Sequence, residues 1–137
     1  MEFLVKNWSL ALVFVVSGAM LLWPLIKGRL SSAAQIGTLE ATRLINKENP
    51  LLLDVREPGE YNSGHLPEAL HIPLSQLKSR SDELAKYAAR PVIVYCERGV
   101  RSSTAASALA KLGFQRVLEL RGGLRAWRDA GLPTQRD

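Results

Sequence analysis

The stretch from Asn7 to Ile26, NWSLALVFVVSGAMLLWPLI, carries no charged residue. A helix needs roughly 20 predominantly apolar residues to cross the hydrocarbon core of a bilayer. Trp8 and Trp23 stand near its ends, where indole rings favour the membrane interface, and Lys27 and Arg29 close it. The pattern predicts one transmembrane helix, with residues 8–26 in the lipid bilayer and residues 1–30 as an N-terminal anchor with its flanks. A cleaved signal peptide fits less well, because the run is long and two cations separate it from the small residues SSAAQ. A core helix apolar on every face would need a larger protein around it. Lys6 precedes the run, whereas Lys27, Arg29, Arg43 and Lys47 follow it. The positive-inside bias therefore predicts a single-pass protein whose soluble part, residues 31–137, faces the cytoplasm.

Beyond the anchor, short apolar runs alternate with helical patterns. QIGTLEATRLINK offers a brief strand, then Thr38 as N-cap of a helix with Leu39, Leu44 and Ile45 apolar. LLLDV after Pro50 is a continuous apolar run, as in a strand covered on both faces. ALHIPL is a further strand, stopped by Pro73, and SRSDELAKYAAR reads as a helix. VIVY after Pro91 is a fourth strand, RSSTAASALAKLG a helix ended by Gly113, and RVLEL a fifth strand. GGLRAWRDAGLP reads as a last helix, closed by Gly131 and Pro133. The alternation predicts an α/β fold, a five-stranded and mainly parallel sheet with helices on both faces. About 100 residues suffice to bury such a core.

Charge excludes one class of partner. The net charge is +5, but residues 31–137 hold 15 Lys and Arg against 12 Asp and Glu with the signs interspersed. No basic block stands beside an aromatic platform, so no nucleic acid is expected. The single cysteine gives no disulfide framework, which agrees with a cytoplasmic location. Cys96, His65 and His71 have no recognisable ligand spacing, so neither metal nor other cofactor is expected.

A lone cysteine is by default a small buried hydrophobe. Cys96 departs from that default by its place between the end of VIVY and the start of a helix, where α/β folds gather function. Backbone N–H groups of such a loop converge on one centre, and the helix N-terminus adds partial positive charge. Gly99 permits the turn, while Arg98 and Arg101 add two cations. These features favour the anionic sulfur, which is the nucleophile. Glu97 opposes them, so its side chain is expected to point to solvent. An internal dithiol cycle is excluded by the absence of a second cysteine. A Cys–His hydrolase would need His65 or His71 at the sulfur, and both sit in the turn-like SGHLPEALHIP with structural roles at hand.

CERGVRS resembles the active-site loop of single-domain rhodaneses: Cys, two variable residues, Gly, one variable residue, Arg, Ser. LLDVREPGEYNSGHLPEALHIPL is similar to that family's first signature, and GFQRVLELRGGLRAWRDAGLP to its closing segment. The resemblance spans about Ile36 to Pro133. It implies a rhodanese-like fold and a sulfurtransferase of the thiosulfate type, in which Cys96 takes a sulfane sulfur as a persulfide. The partners implied are a small sulfur donor, thiosulfate or a persulfide, and an acceptor such as cyanide, a thiol or a protein. It further implies that Glu97, Arg98, Gly99, Val100, Arg101 and Ser102 bind substrate, with Asp54 and Arg56 supporting the site. Glu97 departs from the basic loops of efficient thiosulfate users, so Glu97→Arg is expected to speed thiosulfate capture. Two alternatives stand beside this one. Phosphatases of the same fold use a loop one residue longer than Cys96–Arg101, and non-catalytic rhodanese-like modules, which recruit partners to membranes, often lack the cysteine.

Overall fold

The computed structural model describes residues 1–31 and 33–136, and for residues 25–31 the backbone alone. The chain divides into two compact units, Met1–Ser32 and Ala33–Asp137.

The first unit holds α1 (Glu2–Lys6) and α2 (Trp8–Ser31, 24 residues). Asn7 separates them, its backbone and side-chain N–H groups both donating to the Phe3 carbonyl at 3.0 and 3.1 Å. Leu12, Phe14, Val16 and Leu21 of α2 are all exposed. Of α2, only residues 8–24 are described with their side chains, fewer than the roughly 20 a span requires. Among the described residues no helix is long and apolar enough to cross a membrane. The transmembrane helix expected from the sequence is to that extent not found, and the Lys27 and Arg29 side chains that close it lie outside the described residues.

The second unit runs β1 (Ala34–Ile36), α3 (Thr38–Glu48), β2 (Leu51–Asp54), α4 (Pro58–Asn62) and β3 (Leu70–His71). A 3-10 turn at Leu74–Gln76 leads to α5 (Ser81–Ala85), β4 (Val92–Tyr95), α6 (Arg101–Lys111), β5 (Val117–Leu120) and α7 (Gly123–Asp129). The five strands form one sheet in the order β1-β5-β4-β2-β3, with every pair parallel. Successive strand side chains point to opposite faces. Leu51, Leu53, Val92 and Val94 accordingly pack with Leu84 of α5 and Ala105 and Leu109 of α6. Leu52, Ile93, Leu118 and Leu120 pack with Ala41 of α3 and Leu124 and Trp127 of α7. Apolar runs without alternation are the mark of strands covered on both faces, and β2 and β4 are buried throughout.

Local details differ from the sequence pattern. The N-cap of α3 is Gly37, in extended conformation with its carbonyl accepting from the Ala41 N–H at 2.9 Å, and Thr38 is already helical. The helix expected over SRSDELAKYAAR stops at Ala85. Tyr87, Ala88 and Arg90 instead donate to carbonyls three residues back, tightening the chain ahead of Pro91. α4 was not foreseen. It forms because Glu57 and Glu60 make a capping box around Pro58 at the first turn.

Candidate active site

Cys96 follows the last residue of β4, buried on the α5–α6 face beside Val94. The chain then turns through Gly99, whose φ of +97° a residue with a side chain would resist, and enters α6 at Arg101. The turn brings the Gly99 N–H to 3.0 Å from Cys96 Sγ. Beneath the loop, the Ser102 hydroxyl lies 3.2 Å from both the Gly99 carbonyl and the Glu119 carboxylate, which also accepts from the Ser103 hydroxyl at 2.9 Å. Glu119 is thus a buried acid under the first turn of α6.

The start of α7 forms the other wall. Gly122 and Gly123 adopt φ of +75° and +63°. A Cβ on Gly123 would run into the Cys96 carbonyl oxygen, and it would stand 2.7 Å from the Glu97 carbonyl carbon. That close approach lets the Leu124 and Arg125 N–H groups donate to the Cys96 and Glu97 carbonyls at 2.9 and 3.0 Å. Two N–H groups that a helix start leaves unpaired are satisfied by the loop itself.

Arg56 lies behind the loop, fully buried. Its Nε donates to both Asp54 oxygens at 3.1 and 3.0 Å, and its Nη2 to Asp54 Oδ2 at 2.7 Å and the Gly64 carbonyl at 2.6 Å. Its Nη1 reaches Glu97 Oε2 at 2.9 Å. Burial opposes the charge on Arg56, but Asp54 and then Glu97 more than offset it, and the guanidinium titrates above its ordinary value. Glu97 therefore does not point to solvent. Its second oxygen accepts from Arg128 Nη1 at 3.2 Å, so two cations neutralise it. The sequence expectation missed this because neither Arg56 nor Arg128 is near Glu97 along the chain.

On the open side, Arg101 forks onto both oxygens of Glu60 at 2.7 and 2.9 Å. That hydrogen-bonded guanidinium holds the Glu60 carboxyl down at about 2, against 4.5 ordinarily. Arg98 is exposed and makes no hydrogen bond or ion pair with any described residue. Val100 is 79% exposed. Glu60, Cys96, Glu97, Arg98, Val100 and Arg101 line one cleft of about 330 Å³.

The model of the rhodanese-like domain matches residues 38–130. The chain belongs to the rhodanese-like family. A sulfurtransferase of Allochromatium vinosum is 43% identical over 91 residues, 66% of this chain and 83% of that protein. The uncharacterized protein YibN of Escherichia coli K12 is 31% identical over 137 residues, 99% of this chain and 96% of its own. The crystal structure of a rhodanese-related protein from Thermoplasma volcanium aligns with a TM-score of 0.69 at 28% identity, covering 76% of this chain and 99% of that one.

In this rhodanese-like domain the sequence-predicted residues fall into three groups. Cys96, Glu97, Arg98, Val100 and Arg101 meet at the cleft. Gly99 and Ser102 shape the loop from below, and Asp54 with Arg56 braces it from β2. The histidines stand apart from the cleft. His65 Nδ1 donates to the Leu66 carbonyl at 2.8 Å and His71 Nε2 to the Arg56 carbonyl at 2.7 Å, and both rings stack on Tyr61. Tyr95 closes the buried layer beside Asp54. Burial, and then the Asp54 charge, raises its phenol above the ordinary value, and its oxygen accepts from the Leu66 N–H at 3.1 Å. Among the described residues no group of three or more His, Cys, Asp or Glu side chains could hold a metal ion.

Sequence reasoning did not find Glu60, Glu119 or Arg128. A readable signal existed for Glu60, since Glu57-Pro58-Gly59-Glu60 is a capping-box pattern that sets a short helix beside the loop. Glu119 was also legible in part, as an acid flanked on both sides by apolar residues in the run RVLEL. Nothing local marks Arg128.

Proposed function

We propose that this protein is a sulfurtransferase that carries a sulfane sulfur as a persulfide on Cys96. The observation that carries the reading is the Gly99 N–H aimed at Cys96 Sγ from 3.0 Å, on a six-residue loop at the start of α6. A hydrogen-bond donor and a helix N-terminus both favour negative charge on that sulfur, without a histidine base. The thiolate attacks the outer sulfur of the donor, its sulfur–sulfur bond breaks, and the electron pair departs on sulfite when the donor is thiosulfate. An acceptor thiolate or cyanide then attacks the outer sulfur of the persulfide, and the electron pair returns to Cys96. Arg98 receives the anionic donor, because Arg101 is engaged by Glu60 and Arg56 by Asp54 and Glu97. The sulfurtransferase name of the Allochromatium vinosum relative supports the same chemistry. Six loop residues suit a single sulfur rather than the wider cradle of a phosphate.

The test is intact mass of the full-length chain before and after thiosulfate. Addition of one sulfur atom, its removal by cyanide as thiocyanate, and loss of both in Cys96→Ser are expected. Failure of every donor to add sulfur, with Cys96-dependent cleavage of an aryl phosphate, would replace this reading by the phosphatase one.

We further propose that residues 8–26 hold the domain at a membrane, with residues 31–137 on the cytoplasmic side. The support is the charge-free run and its tryptophans. Alkaline extraction should leave the full-length chain in the membrane pellet, and its appearance in the supernatant would remove the anchor. A reporter that works only outside the cytoplasm, fused after Asp137, should be inactive.

A further inference from the structure

We propose that the exposed stripe of α6 is the docking surface for a protein sulfur acceptor, one that presents its thiol on an acidic segment bearing an apolar side chain. The inference rests on the persulfide reading above and adds to it the class of acceptor. Val100, Thr104, Ser107 and Lys111 recur at intervals of four, three and four residues, which places them on one face of a helix. Val100 lines the Cys96 cleft, so this face begins at the mouth of the site. At its far end a groove of about 420 Å³ lies between α6 and the segment of Leu77 and Lys78, with Ala108, Lys111 and Leu112 on its helix side.

Three observations say what fits there. Within Ala33–Asp137 the exposed large apolar side chains are Leu39, Val100 and Leu112, and the last two lie at opposite ends of this surface. No acidic residue occurs between Glu97 and Glu119, a segment that carries Arg98, Arg101, Lys111 and Arg116, of which Arg101 is paired with Glu60 and Arg116 with Glu48. Arg98, Lys78 and Lys111 make no hydrogen bond or ion pair with any described residue. Arg98 at the mouth and the two lysines at the groove are thus cations without an ion-pair partner among the described residues, flanking apolar surface, the complement of an acidic peptide with an apolar anchor. From Val100 to Leu112 the helix rises about 18 Å, the reach of five or six residues of extended chain. An acceptor thiol at one end of such a segment meets Cys96 while an apolar side chain fills the groove at the other. The acceptor thiolate attacks the outer persulfide sulfur, forming a new sulfur–sulfur bond. The old one breaks and its electron pair stays on Cys96. An anionic bilayer is the weaker match, since lipid recognition draws on clusters of four to eight cations and a bilayer lying along α6 would cover the cleft.

The test uses the full-length chain in detergent, loaded with sulfur from thiosulfate and discharged by two eight-residue thiol peptides and by cyanide. One peptide follows its cysteine with Asp, Glu and Leu, and the other replaces the acids by Lys. At low salt the acidic peptide should discharge Cys96 about tenfold faster than the basic one, and the advantage should shrink as salt rises. Lys78→Glu with Lys111→Glu should abolish or invert that preference and leave cyanide discharge within about twofold. Equal rates for the two peptides, or an equal loss toward cyanide, would overturn the docking surface and leave the sulfurtransferase reading standing. If Cys96 never takes sulfur, the docking surface is judged by fluorescence anisotropy of the acidic peptide with Ser in place of Cys. Binding unchanged by the double variant then removes it. Protection of both lysines from acetylation by phosphatidylglycerol bicelles, without protection by the acidic peptide, would assign the face to lipid instead.

Discussion

On its inner flank the Cys96 loop meets Arg56, shared between Asp54 and Glu97, with the Arg56 and Asp54 side chains wholly out of water. On its outer flank Arg101 forks onto Glu60, and about a third of each side chain stays exposed, 35% and 34%. The chemistry is the same, guanidinium on carboxylate, but the consequences differ. Water cannot replace a partner on the inner flank, so removing one strands a charge in the interior. On the outer flank solvent takes over most of the lost interaction. The inner flank fixes the loop to the sheet. The outer one fixes where Arg101 points, and leaves Arg98 as the loop cation without a partner among the described residues.

The largest expected effect follows from breaking the inner flank. Arg56→Met should cost about 3–5 kcal/mol in urea denaturation, because Asp54 stays buried and Glu97 loses a partner. A loss below about 1 kcal/mol would mean that the inner pair braces nothing. Gly123→Ala tests the wall that presses the loop from the α7 side. The positive φ and the closeness of the Cys96 and Glu97 carbonyls predict a loss of about 2–3 kcal/mol, accompanied by faster alkylation of Cys96, which is buried while the wall stands. An alanine tolerated without change in midpoint would dissolve that wall.

Glu97 belongs to the inner flank through Arg56 and to the surface through Arg128, and its effect should be intermediate. Glu97→Gln is expected to lose about 1–2 kcal/mol. Glu97→Arg would set a third cation beside Arg56 and Arg128, so a loss of stability is expected beside the faster thiosulfate capture expected from the sequence. A thermal shift no larger for Arg than for Gln at this position would break that argument. The smallest effect belongs to Glu60→Gln, below about 1 kcal/mol at neutral pH. The carboxyl of Glu60 titrates at about 2 in the folded protein against 4.5 ordinarily. Its contribution is therefore complete above about 4.5 and is lost as pH falls toward 2. The variant should narrow the gap to the parent protein through that window, and a gap constant from pH 6 to pH 3 would contradict the pairing.

The contrast between the flanks also explains what could be read from the sequence. Strand runs such as VIVY and LLLDV are apolar without alternation, and that pattern has one common cause, cover on both faces, so the sheet and its two helix layers were legible. Cys96, Gly99 and Arg101 were legible because a strand end, a glycine and a helix start are local features. The ion pairs were not. Glu97 meets Arg56 across 41 positions and Arg128 across 31, and Glu60 meets Arg101 across 41, so the partner of each charge is set by topology. A carboxylate read alone is assigned to solvent, which is why Glu97 was placed wrongly. Helix length suffered from a related blindness, since the i−3 bonds that end α5 depend on how Pro91 enters β4.

The grip of α7 on the loop also bears on the order in which the site is made. Cys96 and Glu97 emerge from the ribosome well before Leu124 and Arg125, whose N–H groups hold their carbonyls. At about 5–20 residues per second, synthesis leaves an interval of seconds in which the cysteine exists without its wall. β5, which lies between β1 and β4, is also made within that interval. The nucleophile thus acquires its finished setting late, so the nascent thiol is shaped by neither Gly123 nor the sheet's completed centre while it is most accessible to oxidants and stray electrophiles.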